Sequence, residues 1–339
     1  MAVSSNELIK ASQFNNLQNR ISQVLGTGSG NFGYGQSVAS SQVSSLQDPS
    51  IPDGNSVLAS QFNNLRSDLA AAYTHQTGNS FPVSSFTAGD IIGADSSGTD
   101  LDRNGDTFVF VNEETNKGFN DLLNIMTDLE TNRFDIATSQ QDLQVKIIDD
   151  KLRQWNGTIV SEFTVNWSDA SSRRYYFNAG GEIRIEGTVD LSTSTGDSYD
   201  RDQGWNDLLE NPGQIQFDYN STQITGSTSG VTYPNGVIGN DSVTGSFQTI
   251  FRKDASGGVY GNSYWLVEAR EDNSSRLRFR ITLVDAGPES NPDQGDTGSI
   301  PGGVEEPVTA DLEFEYSMLR ANGSVVVSAP GFNLSNSFE

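Results

Sequence analysis

Lys117-Gly118-Phe119-Asn120-Asp121-Leu122 opens a stretch that closes on Leu152-Arg153-Gln154-Trp155. Between these ends Phe119, Leu122, Met126, Leu129, Ile136, Leu143 and Ile147 fall on one alternating three–four spacing, interrupted by Arg133 and Gln140. That spacing is the seam of a helix packed against other helices. No proline falls inside, and Asn156-Gly157 supplies a stop. The pattern predicts one helix over Lys117–Trp155, a rod of roughly 55–60 Å. Before it the chain reads as helical and loop-rich; after it the period switches to two.

The start of this stretch has two earlier counterparts. Ala11-Ser12-Gln13-Phe14-Asn15-Asn16-Leu17 recurs letter for letter as Ala59-Ser60-Gln61-Phe62-Asn63-Asn64-Leu65, and Phe119-Asn120-Asp121-Leu122 is a degenerate third copy. This predicts a duplicated short helix, about Asn6–Leu25 and Val57–His75, the first capped by Ser4 or Ser5. Such helices are too short to stand alone, so their Phe/Leu stripes need a partner, within the chain or on another subunit. The candidate contact residues are Phe14, Leu17, Phe62, Leu65, Phe119, Leu122, Met126, Leu129, Ile136, Leu143 and Ile147.

From Thr158 onward, alternating apolar residues mark strands near Phe163–Trp167, Ile183–Val189, Gly213–Tyr219, Gly245–Arg252, Tyr264–Arg270, Arg276–Val284, Ala310–Leu319 and Ser324–Ser328. Asn178-Ala179-Gly180-Gly181 reads as a turn or bulge between two of them. The expected fold is therefore α+β: N-terminal amphipathic helices with an internal repeat and a long helix, then an all-β sandwich or jelly-roll-like domain. The division is 1–78 duplicated helices with an extended arm, 79–157 loop, hairpin and long helix, 158–328 β domain, and 329–339 tail. Arg276, Arg278 and Arg280 share one strand face, so an acidic strand is expected beside them, from Glu182/Glu186 or Glu313/Glu315.

Both halves are acidic, and the 339 residues carry a net charge of −24, which leaves no basic footprint for nucleic acid or anionic lipid. There is no cysteine, and the single histidine, His75, cannot build a multi-histidine centre. The run Gly26–Gly35 follows a helix and lacks a Gly-Lys-Ser/Thr ending, so it is a connector anchored by Phe32 and Tyr34, not a phosphate loop. No Gly-x-Ser-x-Gly elbow occurs, and the carboxylates fall in turns or on solvent-facing strand positions. No catalysis is expected.

One string resembles a metal loop. Asp100, Asp102 and Asn104, with Gly105 and Asp106, match the first half of an EF-hand calcium loop, yet position twelve is Val111. An Asn-Gly hairpin turn leading into Thr107–Val111 is the competing reading. Calcium is the one cofactor the sequence suggests. Neither a secretory leader nor a ~20-residue apolar span occurs, so a product made in a cytoplasm and kept out of membranes is expected.

The Gln-Phe-Asn-Asn-Leu helices with their Gly-rich sequel, His75-Gln76-Thr77-Gly78, Arg173-Arg174-Tyr175-Tyr176-Phe177-Asn178-Ala179-Gly180-Gly181-Glu182-Ile183-Arg184 and Gly323-Ser324-Val325-Val326-Val327-Ser328-Ala329-Pro330 together span most of the chain. They resemble virion structural proteins of marine contractile-tailed bacteriophages of the cyanophage (myovirus) type. The resemblance implies a particle component located in the virion and made in the host cytoplasm. It would belong to the tail, neck or fibre apparatus, with anchoring helices and an outward β domain. Its partners would be other virion proteins and itself: the long seam calls for self-association, and the resemblance to elongated phage projections favours a trimer. The alternative is a receptor- or glycan-binding module, including capsid-surface decoration, with Tyr199, Trp205, Tyr233, Tyr260 and Trp265 stacking on host-surface sugars.

Overall fold

The computed structural model describes residues 9–29, 32–43, 58–87, 92, 118–152, 154–195, 199–255, 262–286 and 307–338, with backbone alone at 99–101, 107–109 and 199–200. The fold is mixed helix and antiparallel sheet. It divides into two compact units. The first comprises Met1–Asp142, Arg174–Gly180 and Ala321–Val327; the second comprises Leu143–Arg173, Gly181–Arg320 and Ser328–Glu339.

The first unit is built on α1 (Ala11–Leu25), α2 (Ala59–Thr77) and α3 (Phe119–Thr131), each touching the other two. The two identical heptapeptides begin α1 and α2. In each, the glutamine side chain turns back onto the peptide N–H three residues earlier: Lys10 N donates to Gln13 Oε1 and Leu58 N to Gln61 Oε1, both at 2.7 Å. This satisfies a backbone donor that the helix itself leaves open. The capping serines Ser4 and Ser5 lie outside the described residues.

The next asparagine of each heptapeptide grips a returning segment. Asn15 donates to Val43 O at 2.9 Å and accepts from Val43 N at 2.7 Å; Asn63 does the same to Phe86 O and Phe86 N, at 2.7 and 2.8 Å. A side-chain amide pairing with one residue's N–H and C=O mimics a strand partner, so the extended segment is held without a sheet. Asp68 on α2 adds a second hold on the first segment, accepting from Ala39 N and Ser40 N. The Phe14 and Phe62 rings meet edge to face at 5.2 Å, and Arg20 of α1 pairs with Glu130 of α3 at 2.7 Å. A two-stranded hairpin, β1 (Thr99–Leu101) with β2 (Thr107–Val109), pairs Asp100 with Phe108.

The single long helix does not form. α3 has 13 residues, about 20 Å. A turn follows, with Asp135 N bonded to Asn132 O, then a short 3-10 turn at Thr138–Gln140, and then strand β3 (Gln141–Lys151). The polar interruptions of the seam are where the chain leaves the helix. Arg133 sits in the turn with its guanidinium over the rings of Phe32 and Phe134, at 4.6 and 4.4 Å, and its carbonyl accepts from Tyr34 Oη at 2.6 Å. Gln140 accepts from Ser324 N at 2.7 Å. The helical reading survived past Gln140 because Leu143 and Ile147 are four apart, a spacing that also fits a strand. Val145, Ile147 and Ile148 are β-branched and favour the strand.

The expected turn at Asn178–Gly181 is likewise the end of a helix, α4 (Ala170–Asn178). Asp169 opens it by accepting Ser172 N at 2.7 Å. Gly180 follows it at φ 76°, where an added Cβ would lie 2.7 Å from Ile136 Cγ2.

The second unit holds two sheets. One runs β13-β4-β11-β10-β9-β8, from β4 (Gly157–Asn166), β8 (Val231–Thr232), β9 (Gln248–Asp254), β10 (Tyr264–Asn273), β11 (Arg276–Asp285) and β13 (Gly331–Asn336). The other runs β3-β12-β5-β6-β7, from β3 with β5 (Glu182–Asp190), β6 (Ile215–Phe217), β7 (Thr222–Ile224) and β12 (Asp311–Ala321). Side chains from the two sheets share one core: Phe163 stacks on Tyr316 at 4.3 Å, Phe217 meets Phe279 at 5.3 Å, and Trp265 meets Phe314 at 5.8 Å. The strand expected at Ser324–Ser328 does not form. The tail supplies β13 instead, paired antiparallel with β4.

Helix α5 (Tyr199–Glu210) buries Trp205, Leu208 and Leu209. Its Arg201 forms a fully buried ion pair with Asp285, which also accepts from Trp205 Nε1 at 3.4 Å and Ser263 Oγ at 3.4 Å. The neighbouring Asp202 accepts from Thr309 N at 2.9 Å, Thr309 Oγ1 at 2.8 Å and Ala310 N at 3.1 Å. Two buried carboxylates thus pin the helix, one ion-paired with Arg201 and the other accepting backbone and hydroxyl hydrogen bonds, the kind of pairing under which buried charge is tolerated.

Candidate interaction surface

Eight of the eleven candidate contact residues are buried in the helical unit: Phe14, Leu17, Phe62, Leu65, Phe119, Leu122, Met126 and Leu129. Their stripes face one another within the chain. Ile136 lies in the turn after α3, half-buried. Leu143 and Ile147 lie on β3, and Leu143 is exposed. The sequence pattern therefore joined two different things, a bundle core and a sheet edge.

β3 is one of the two edge strands of the five-stranded sheet. Leu143, Val145 and Ile148 on it, and Leu152 just beyond its end, are 54%, 49%, 53% and 59% exposed. Aliphatic side chains this open on one strand are out of keeping with a chain only 34% hydrophobic. Strand alternation puts Gln144, Lys146, Ile148, Asp150 and Leu152 on the outer face and Leu143, Val145, Ile147 and Asp149 on the other. Asp149 is buried, accepting from Ser161 Oγ at 2.5 Å and Ser337 Oγ at 2.6 Å.

The outer face beside β3 is acidic. In the β12–β5 register Asp311 stands opposite Asp190, and Glu315 opposite Glu186. Directly opposed like charges destabilise a sheet. Burial holds Glu315 above its ordinary pKa, and the Glu186 and Glu313 charges add to the rise. Asp150, Leu152, Thr188, Asp190, Asp311, Leu312 and Glu313 line a cavity of about 260 Å³ with no basic side chain among them. Asp150 Oδ1 is buried there without a hydrogen-bond partner among the described residues.

The outer face of the six-stranded sheet is the opposite case. Glu162 on β4 pairs with Arg280 at 2.7 Å and Arg278 at 3.3 Å; Arg278 also pairs with Asp272 at 2.9 Å, and Arg280 reaches Glu268 at 3.6 Å. The acids expected for this ladder, Glu182/Glu186 or Glu313/Glu315, belong to the other sheet, and Glu182 pairs with Arg184. Adjacent strands β4 and β10 supply the charge because they are the strands hydrogen-bonded to β11.

Of the calcium string, Asp100 lies in β1, where the backbone alone is described, and Asp102, Asn104 and Asp106 lie outside the described residues. Among the described residues no group of three or more side chains is arranged to hold a metal ion. Trp205 and Trp265 are buried core residues, so they cannot stack on a sugar. Tyr233 is half-exposed; the Tyr199 side chain and Tyr260 lie outside the described residues. His75 is fully buried against Tyr34, ring to ring at 4.9 Å, and burial pushes its pKa down to about 4. Among the described residues, no helix is long and apolar enough to cross a membrane.

No protein-family model matches the chain, and no curated protein or solved structure is significantly similar to it.

Proposed function

We propose that the chain is a non-catalytic structural component of a tailed-phage virion, of the tail, neck or fibre apparatus. In this reading the helical unit anchors it, and the two-sheet unit, a β-sandwich, presents contact surfaces to other virion proteins and to further copies of itself. The observation that carries the reading is the eleven-residue β3 edge, with Leu143, Val145 and Ile148 exposed on it, beside an acidic sheet face. Exposed aliphatic side chains on a long sheet edge favour a contact with another protein. The sequence resemblance supplies the particle. Self-association remains part of the proposal, but the trimer argued from a long rod loses the rod, because α3 is met by α1 and α2 of its own chain. The glycan-binding alternative loses Trp205 and Trp265 to the core. Mass spectrometry and antibody labelling of purified particles test the proposal. Recovery in stoichiometric amounts at one place on the particle is expected, and a chain found only in infected cells and missing from particles overturns it.

A further inference from the structure

We propose that β3 is a self-association edge, pairing antiparallel with β3 of a second copy across a two-fold axis near Ile148. The inference rests on the assembly reading above and adds to it the surface, the partner strand and the register.

The two sheets have four outer strands. β8 has two residues, β7 three and β13 six, whereas β3 has eleven. Short edges template little pairing; a long edge with exposed aliphatic side chains and no proline is the one that recruits another strand. Leu143, Val145 and Ile148 leave it open to a partner on both faces.

The occupant follows from charge. A two-fold axis perpendicular to the sheet keeps each face on its own side, so residues that oppose one another across it share a face. Centred on Ile148, the pairing sets Ile148 against its own copy, Gln144 against Leu152, and Lys146 against Asp150. Within its own chain Lys146 bonds the neutral Gln144 Oε1 at 2.5 Å. Asp150 has a buried oxygen without a hydrogen-bond partner among the described residues, in a cavity whose lining also includes Asp190, Asp311 and Glu313 and no basic side chain. The second copy's Lys146 brings a cation to that carboxylate, and the symmetry makes the contact twice. An isologous pairing of this kind closes on itself and joins two five-stranded sheets without starting a fibre.

The chain contains no cysteine, so a single introduced thiol reports cleanly. Full-length wild type is expected to sediment at twice its 36.6 kDa mass. Ile148→Lys, which sets two ammonium groups together on the axis, is expected to raise the dimer dissociation constant at least ~10-fold. Lys146→Asp is expected to weaken pairing, and the exchange Lys146→Asp with Asp150→Lys to restore it. Ile148→Cys is expected to form a disulfide dimer under mild oxidation, while Val237→Cys, exposed elsewhere, does not; this readout serves even if the lysine variant folds poorly. A wild type that stays monomeric at ~100 μM, where a specific self-associating edge should be paired, overturns the proposal. So does a dimer indifferent to Ile148→Lys, or an exchange variant no better than Lys146→Asp alone. A chain recovered in particles but failing these tests removes the β3 pairing and leaves the assembly reading standing.

Discussion

Replacing Phe14 and Phe62 by alanine, singly and together, tests whether the repeated heptapeptides form one shared core. Both rings are buried, and they meet edge to face at 5.2 Å. Removing a buried phenylalanine costs ~3–5 kcal/mol, lost transfer energy plus the cavity left behind. The edge-to-face contact adds a coupling of ~0.5–1.5 kcal/mol. Each single variant is therefore expected to lose ~3–5 kcal/mol, and the double variant less than the sum of the two by about that coupling. Phe62 also packs on Phe86 at 5.4 Å, so Phe62→Ala should be the costlier of the two. Urea titration followed at 222 nm reads the helices; all four tryptophans lie in the second unit, so their fluorescence reports the sheets. Single-variant losses below ~1 kcal/mol, or strict additivity in the double variant, would refute a shared core.

Asn15→Ala and Asn63→Ala each remove two hydrogen bonds to an extended segment, an expected cost of ~1–3 kcal/mol, and amide exchange should quicken at Val43 in the first variant and at Phe86 in the second. Asp285→Ala strands the buried Arg201 guanidinium and should cost ~3–5 kcal/mol, while Arg201→Met with Asp285→Leu should recover most of that loss in the same urea titration. His75 has a folded pKa below its unfolded value of 6.5, so the unfolded chain takes up the proton first and stability falls as pH drops from about 6.5 toward about 4. The loss from this residue should reach ~3 kcal/mol, and His75→Phe should flatten that part of the pH–stability curve.

How far the sequence could be read depended on whether a pattern admitted one period or two. The heptapeptide helices were legible because Phe14, Leu17 and Ile21 recur at spacings only a helix satisfies, and α1 and α2 start within a few residues of expectation. The β unit was legible because Leu277, Phe279, Ile281 and Leu283 alternate strictly with charged or polar residues. Between them the reading failed where Leu143 and Ile147 fit both periods. It also failed at Asn178-Ala179-Gly180-Gly181, read as a turn or bulge between strands, where the Asp169 cap and Gly180 bound a helix instead. The candidate surface was half legible. Leu143 and Ile147 were singled out, but Val145, Ile148 and Leu152 were missed, because their exposure depends on which strand ends the sheet. The Glu162 ladder was hidden for the same reason: strand order is set by long-range pairing and leaves little trace in local composition.

The helical unit draws its last pieces from Arg174–Gly180 and Ala321–Val327. Gln140 receives Ser324 N, and Gln36 Nε2 donates to Val326 O at 2.9 Å, while Val325 and Val327 are buried. A ribosome that has just released Asp142 must still polymerise nearly the whole remaining chain before those residues exist. At ~5–20 residues per second that is roughly 10–40 s. During this time Gln36 and Gln140 wait without the backbone groups of Ser324 and Val326 that they pair with in the folded chain. Truncation before Ala321 would leave the nascent chain in that waiting state for good.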